Sequence, residues 1–251
     1  MMHYTEFVNM ARKIATQYKT LYVSGCFGAP MTPANKNRYS KNNAYNRQPA
    51  RVTKIMKADR DVFGFDCVCL IKGVLWNWQG DVNAQYGGAA YASGGVPDIG
   101  ENAMIKRCTN VSTDFSKCVP GAMLWLDGHA GIYLGDGLAA ECTPIWKDGV
   151  QITAVANIGR KAGYNCRTWT KWGLLPWVDY TQPNPGPAPD PLPDGKKYIP
   201  VLLDGKLVQC IGTVESGITY VQLRNVADPL GLAVVGWDAQ RRIATVTTKK
   251  E

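Results

Sequence analysis

The sequence predicts an α+β domain over residues 1–180, a Pro-rich linker over 181–197 and a small α+β module over 198–251. Three observations carry this reading. Apolar residues recur at helical spacing near the start and again at 67–76. Four strand signals crowd between 122 and 154, with Asp-Gly turns between the first three, which gives an antiparallel meander. Alternating prolines from Pro183 to Pro193 then forbid helix and ladder bonds and favour an extended spacer. At about 3.1 Å per residue such a spacer reaches roughly 40 Å.

Taken in order, Phe7, Ala11, Ile14 and Tyr18 share one helical face, so a helix is expected over 5–19 with Thr5 as its cap. Leu21-Tyr22-Val23 reads as a short strand ahead of Gly25 and Gly28. The Asn-rich stretch 33–49 reads as a long surface excursion. A second helix is expected over 67–76, capped by Asp66 and ended by Gly80-Asp81. A Gly-rich region follows over 86–95, and then come strands at 122–126, 129–134, 138–142 and 149–154.

The register of the meander decides which side chains share a face. A two-residue turn at 136–137 would pair 134 with 139 and put His129 and Glu141 on opposite faces. A three-residue loop, 135–137, pairs 134 with 138 and restores a common face, with Gly137 as the left-handed bulge residue. The expectation is the three-residue loop, with Glu141 diagonal to His129 and roughly 7 Å away along the backbone.

Composition narrows the class. Of the 251 residues 45% are apolar and 19% charged, the balance of a packed chain rather than a disordered one. No apolar run approaches the roughly 18 residues of a membrane span, so stable membrane insertion is not expected. The first residues lack a basic segment followed by an apolar one, so the expectation is synthesis in a cytoplasm without a signal peptide. Eight cysteines in such a chain read as free thiols, and Cys67-x-Cys69 is too tightly spaced for a zinc knuckle. No metal and no cofactor are expected. The net charge of +8 includes a basic stretch from Lys36 to Arg60. It reads as a solvated loop and helix face, with no nucleic-acid partner expected, and the charge also suits an anionic cell-wall surface.

Chemistry concentrates in two segments, Phe65-Asp66-Cys67 and Gly128-His129-Ala130-Gly131. Cys67 falls in the first turn of its helix, where the amides and the helix dipole favour a thiolate and could hold an oxyanion. The chain has only two histidines, and His3 sits at a terminus expected to fray. His129 is therefore the candidate base, and Glu141 the group that orients its ring. Cys69 and Cys142 read as core residues. Among the tryptophans, Trp125 reads as core and Trp76 and Trp78 as unable both to face inward on one helix, so none is assigned to substrate.

Phe65-Asp66-Cys67 with Leu70-Ile71, then 120–125, then Gly128 to Gly137, resemble in order and spacing the catalytic blocks of NlpC-type cell-wall cysteine peptidases, particularly phage and prophage lysins of Gram-positive hosts. Leu21 to Gly25 resembles the block that precedes the nucleophile, and the likeness spans most of 5–180. It implies a papain-like α+β fold with Cys67 as nucleophile, His129 as base and Glu141 as third residue. Tyr22 and Asp66 would lie beside the nucleophile as substrate contacts. The chain departs from the pattern in three ways: Val68-Cys69 replaces a small Ser-Gly pair, the stretch between Gly28 and Gly64 is an insertion, and the third position is a carboxylate rather than histidine.

Residues 198–249 resemble the small stalk module named after the N-terminal domain of copper amine oxidases, although they hold no histidine and only Cys210. A short helix is expected over 223–231, a hairpin at Gly205, and Trp237 beside the last strands. The resemblance implies a cell-wall targeting module, with self-association as the other role. The combined expectation is a peptidoglycan hydrolase cutting the D-glutamyl–diamino-acid bond and acting on the wall after release. The alternatives are an N-acetylmuramoyl-L-alanine amidase, a transacylase of the same fold, or a nonenzymatic wall-binding virion protein.

Overall fold

A computed structural model describes residues 1–181 throughout, together with the strand backbones 197–203, 206–215, 218–221, 232–238 and 243–248. The chain divides into two compact units, Met1–Tyr180 and Thr181–Glu251. The first is mixed α/β and contains the five α-helices found among the described residues.

Its N-terminus is anchored. Strand β1 (Met2–His3) pairs in parallel with β12 (Val178–Asp179), and α1 (Tyr4–Gln17) starts directly after it. The cap of α1 is His3, whose ring accepts the Thr5 amide, and Thr5 itself lies buried within the first turn. His3 is thus a paired cap rather than a frayed end, because strand pairing holds it in the extended conformation a cap needs. The helix stops at Gln17, two residues short of expectation.

Strands β2 (Thr20–Tyr22), β3 (Phe27–Pro30) and β4 (Phe63–Phe65) make a small sheet in the order β2-β4-β3. The segment expected as a surface excursion holds two helices, α2 (Pro33–Tyr39) and α3 (Pro49–Lys57). Both begin with proline at the first turn, where the missing N–H costs nothing. Between them Asn46 is fully buried, donating to the Ser24 carbonyl at 2.9 Å and accepting the Ser24 amide at 3.1 Å. The asparagines therefore supply backbone partners and are not merely solvated. Most of the basic residues here are exposed, but Arg51 is buried and pairs with Asp148 at 2.8 Å, where Lys54 also binds.

Helix α4 (Cys67–Leu75) is buried on every side; its residues are apolar or glycine except Lys72, whose ammonium pairs with Asp98. It ends at Leu75, five residues before Gly80, because Trp76 leaves the helix and Asn77 turns left-handed at φ 61°. That early end lets Trp76 and Trp78 both face inward, at 0% and 1% exposure. The rule that kept one outside holds only along a continuous helix.

Beyond α5 (Glu101–Ile105) and β5 (Thr109–Ser112) comes the meander: β6 (Met123–Leu126), β7 (His129–Gly135), β8 (Leu138–Thr143) and β9 (Gly149–Val155). With β10 (Cys166–Arg167) and β11 (Lys171–Leu174) they form a seven-stranded sheet in the order β10-β9-β8-β7-β6-β11-β5. One face, with Ala130, Ile132, Ala140, Cys142 and Val150, packs on α1 and α4. The other carries a smaller core of Tyr133, Ala139, Val155, Trp169 and Trp172.

The β7–β8 hairpin differs from the three-residue loop expected. Gly135 pairs with Leu138 across a two-residue turn, Asp136-Gly137, in which both residues have positive φ. The register then shifts between Tyr133 and Gly135, so that Tyr133 pairs with Ala139 and Gly131 with Glu141. A bulge supplies the extra residue that the longer loop was expected to supply. The outcome for the faces is the same, and Glu141 lies diagonal to His129.

The second unit is described as backbone strands. Strands β13 (Lys197–Leu203), β14 (Lys206–Glu215) and β15 (Ile218–Val221) form an antiparallel meander, and β16 (Leu232–Asp238) pairs antiparallel with β17 (Ile243–Thr248). The linker over 182–196, Gly205, the helix expected over 223–231 and the packing of Trp237 lie outside the described residues.

Candidate active site

Cys67 is the first residue of α4, and the cap beneath it is fully engaged. The Asp66 carboxylate accepts the Cys69 amide on one oxygen and the Gly25 amide on the other, each at 2.7 Å. Asp66 is 8% exposed, and its burial raises its pKa against those two hydrogen bonds. Both carboxylate oxygens are thus committed to the backbone that shapes the helix start.

The Cys67 side chain is buried as well. Burial pushes its thiol up to about 12, the Asp66 charge acts in the same direction, and the amides of Ala130 and Val68 act against them. In this resting state the sulfur is a neutral thiol set against the amide of Ala130, the residue next to His129. The sulfur and the His129 ring make no hydrogen bond to one another among the described residues.

His129 opens β7 and joins a row of polar side chains crossing four adjacent strands on one sheet face. Glu141 on β8 sits opposite Gly131, Thr153 on β9 opposite Ala139, and Arg167 on β10 opposite Val155. Glu141 is wholly buried and fully satisfied. His129 Nε2 lies 2.7 Å from its Oε2, Arg167 Nε–H donates to the same oxygen at 2.6 Å, and Thr153 Oγ1 donates to Oε1 at 2.6 Å. Burial alone would raise this carboxyl; His129, Arg167 and Thr153 together outweigh it and hold it below the ordinary value.

The Trp169 ring stacks on His129, 5.4 Å between centroids and 10° from parallel. Asn157 fixes the Trp169 backbone by accepting its amide and donating to its carbonyl. Gly131 makes room for it, since a Cβ there would come within 2.7 Å of the indole. The His129 ring is therefore held edge-on by Glu141 and face-on by Trp169, with Nδ1 left as the nitrogen that no hydrogen bond engages among the described residues.

The other expected positions fall as follows. Tyr22 is half-buried, its ring edge-to-face with Tyr45 and 5.8 Å from the Arg51 guanidinium. Burial raises its phenol, and the Asp66 carboxylate adds to the effect. Its carbonyl accepts from Arg51. Cys69 and Cys142 are buried, and the Cys142 thiol donates to the Phe65 carbonyl at 3.2 Å. Trp125, expected in the core, packs against the main cluster but is only half-buried: its indole donates to Asn102, and Lys171 lies 4.4 Å from the ring centroid.

Arg167, Trp169 and Thr153 were missed from sequence. The one local signal was the alternation Arg167-x-Trp169 after a strand, which puts both on one face. No group of three or more His, Cys, Asp or Glu among the described residues could hold a metal ion. No helix there is long and apolar enough to cross a membrane. The structure thus places a helix-start thiol against the Ala130 amide and, at the neighbouring residue, an imidazole paired with a buried carboxylate. No protein-family model, curated protein or solved structure matches the chain.

Proposed function

We propose that the first unit is a cysteine-dependent hydrolase of papain-like architecture that cleaves an amide of the peptidoglycan stem peptide. The observation that carries the proposal is the 2.7 Å contact between His129 and the buried Glu141, with Cys67 at a helix start against the amide of the next residue. The stem-peptide substrate rests on the sequence resemblance.

In the proposed reaction the Cys67 sulfur attacks the amide carbon as its proton passes to His129 Nδ1. The two must close to hydrogen-bond distance, a tightening that substrate brings in sites of this kind. The oxyanion is received by the amides of the first turn of α4, that of Cys67 foremost. The C–N bond breaks as the imidazolium protonates the leaving amine. Water, deprotonated by His129, then attacks the thioester carbon and frees the thiol. Because the resting thiol is neutral, attack and proton transfer are coupled, and no standing thiolate is needed.

The favoured bond is the D-glutamyl–diamino-acid link. A carboxylate as third residue supports the second reading, cleavage between N-acetylmuramic acid and L-alanine. Mass spectrometry of fragments released from purified Gram-positive walls separates the two. Stem peptides cut after D-glutamate support the endopeptidase, and free lactyl groups with intact peptides support the amidase. Acyl transfer to an added amine would mark a transacylase instead. If the wild type and Cys67→Ala release equal material from several wall types, the hydrolase reading fails and wall binding without catalysis replaces it.

A further inference from the structure

We propose that Arg167 is a positioning residue that keeps His129 neutral, and so able to act as a base, by taking up the charge of Glu141. The proposal rests on the reading of His129 as the base for Cys67. One carboxylate can neutralise one buried cation. Glu141 is 0% exposed, and its Oε2 accepts Arg167 Nε–H at 2.6 Å as well as contacting His129 Nε2 at 2.7 Å. A protonated His129 would therefore face a carboxylate already paired, with a second cation alongside. Without Arg167 the same carboxylate would hold an imidazolium, whose Nδ1 has no lone pair with which to accept the thiol proton.

The arrangement of Arg167 favours this role over general packing. Its guanidinium lies 4.9 Å from the Trp146 ring centroid and 5.8 Å from that of Trp169, the residue stacked on His129. Trp146 is itself held at φ 63°, and one terminal nitrogen of Arg167, Nη2, is buried without a hydrogen-bond partner. The carboxylates that act on Cys67 are Asp66, the cap of α4, and Glu101 on α5. Both carboxylates would favour a cation, so Arg167 is the group that opposes it.

Only His3 and His129 occur, so ¹⁵N-histidine spectra with a His3→Asn control assign the signals directly. In wild type at pH 7, His129 should carry one proton, on Nε2. In Arg167→Gln the Nδ1 signal should become that of a protonated nitrogen, and Arg167→Lys should restore the wild-type pattern. Alkylation of Cys67 by iodoacetamide, located by peptide mapping, provides a second measurement that needs no wall substrate. In Arg167→Gln its rising limb should move to higher pH by about one pH unit, and its plateau rate should rise severalfold.

Damage to the fold would lower reactivity without moving the limb, so a limb that stays in place overturns the proposal. If Arg167→Gln does not fold, the wild-type spectrum still decides: a proton on Nδ1 at pH 7 overturns it. A His129→Ala profile identical to wild type would instead mean that Cys67 and His129 are not coupled. That result would defeat the underlying reading and is distinguishable from failure of the role of Arg167.

Discussion

Glu141 is the residue on which the site turns, since it joins His129, Thr153 and Arg167 through two oxygens. Its folded pKa is depressed, so its contribution to stability is complete above the ordinary carboxylate value of 4.5 and is lost as pH falls through the folded value. Glu141→Gln leaves the half-buried Arg167 without a charge partner and should cost about 3 kcal/mol at pH 7. Below pH 4.5 the variant should lose stability less steeply than wild type. Urea unfolding at several pH values measures both, and equal slopes would show that the carboxylate is not held as described. The sequence made Glu141 legible through strand parity but concealed Arg167. Glu141 is 12 positions from His129 along one hairpin, whereas Arg167 reaches it only through the pairing of β10 on the far side of β9.

Two elements place the candidate residues. At the start of α4, Asp66 satisfies the amides of Cys69 and Gly25 together, tying the helix that begins at Cys67 to the loop after β2. Asp66→Ala should remove about 2 kcal/mol of stability, for the lost cap and an unsatisfied buried amide. Thermal unfolding with a parallel alkylation rate for Cys67 would check it; an unchanged melting point would mean the cap is dispensable. In the β7–β8 hairpin, Gly137 sits at φ 70° in the two-residue turn. Gly137→Ala should cost about 1 kcal/mol through backbone strain, and Asp136→Gly should be tolerated. Equilibrium unfolding of the pair distinguishes this turn from one with the glycine at negative φ. The expected three-residue loop and the observed turn with a bulge give the same register. Side-chain alternation fixes which residues face the core, but not where the extra residue is taken up.

At the scale of the molecule, the division at Tyr180–Thr181 separates a unit that contains every residue of the candidate site from one that contains none. Residues 1–180 expressed alone should fold cooperatively and keep Cys67-dependent release from purified walls. Calorimetry and the wall assay test this together. A truncated chain that fails to melt cooperatively would show that the first unit depends on the second. Loss of wall release with cooperative melting retained would assign a targeting role to residues 181–251.

What the sequence by itself determined is local or periodic: the cap at Asp66, the helix behind Cys67, the meander, the shared face of His129 and Glu141, and His129 as the candidate base. Each follows from rules that act over a few residues, or over one hairpin, and so needs no knowledge of distant neighbours. Only the tertiary structure decided that His3 is a pinned cap, that Trp76 and Trp78 are both buried, and that Asn46 ties the segment between β3 and β4 to Ser24. It also decided that Arg167 and Trp169 complete the environment of His129. These depend on which strands become neighbours, and on which buried charge finds a partner when the alternative is several kcal/mol of desolvation.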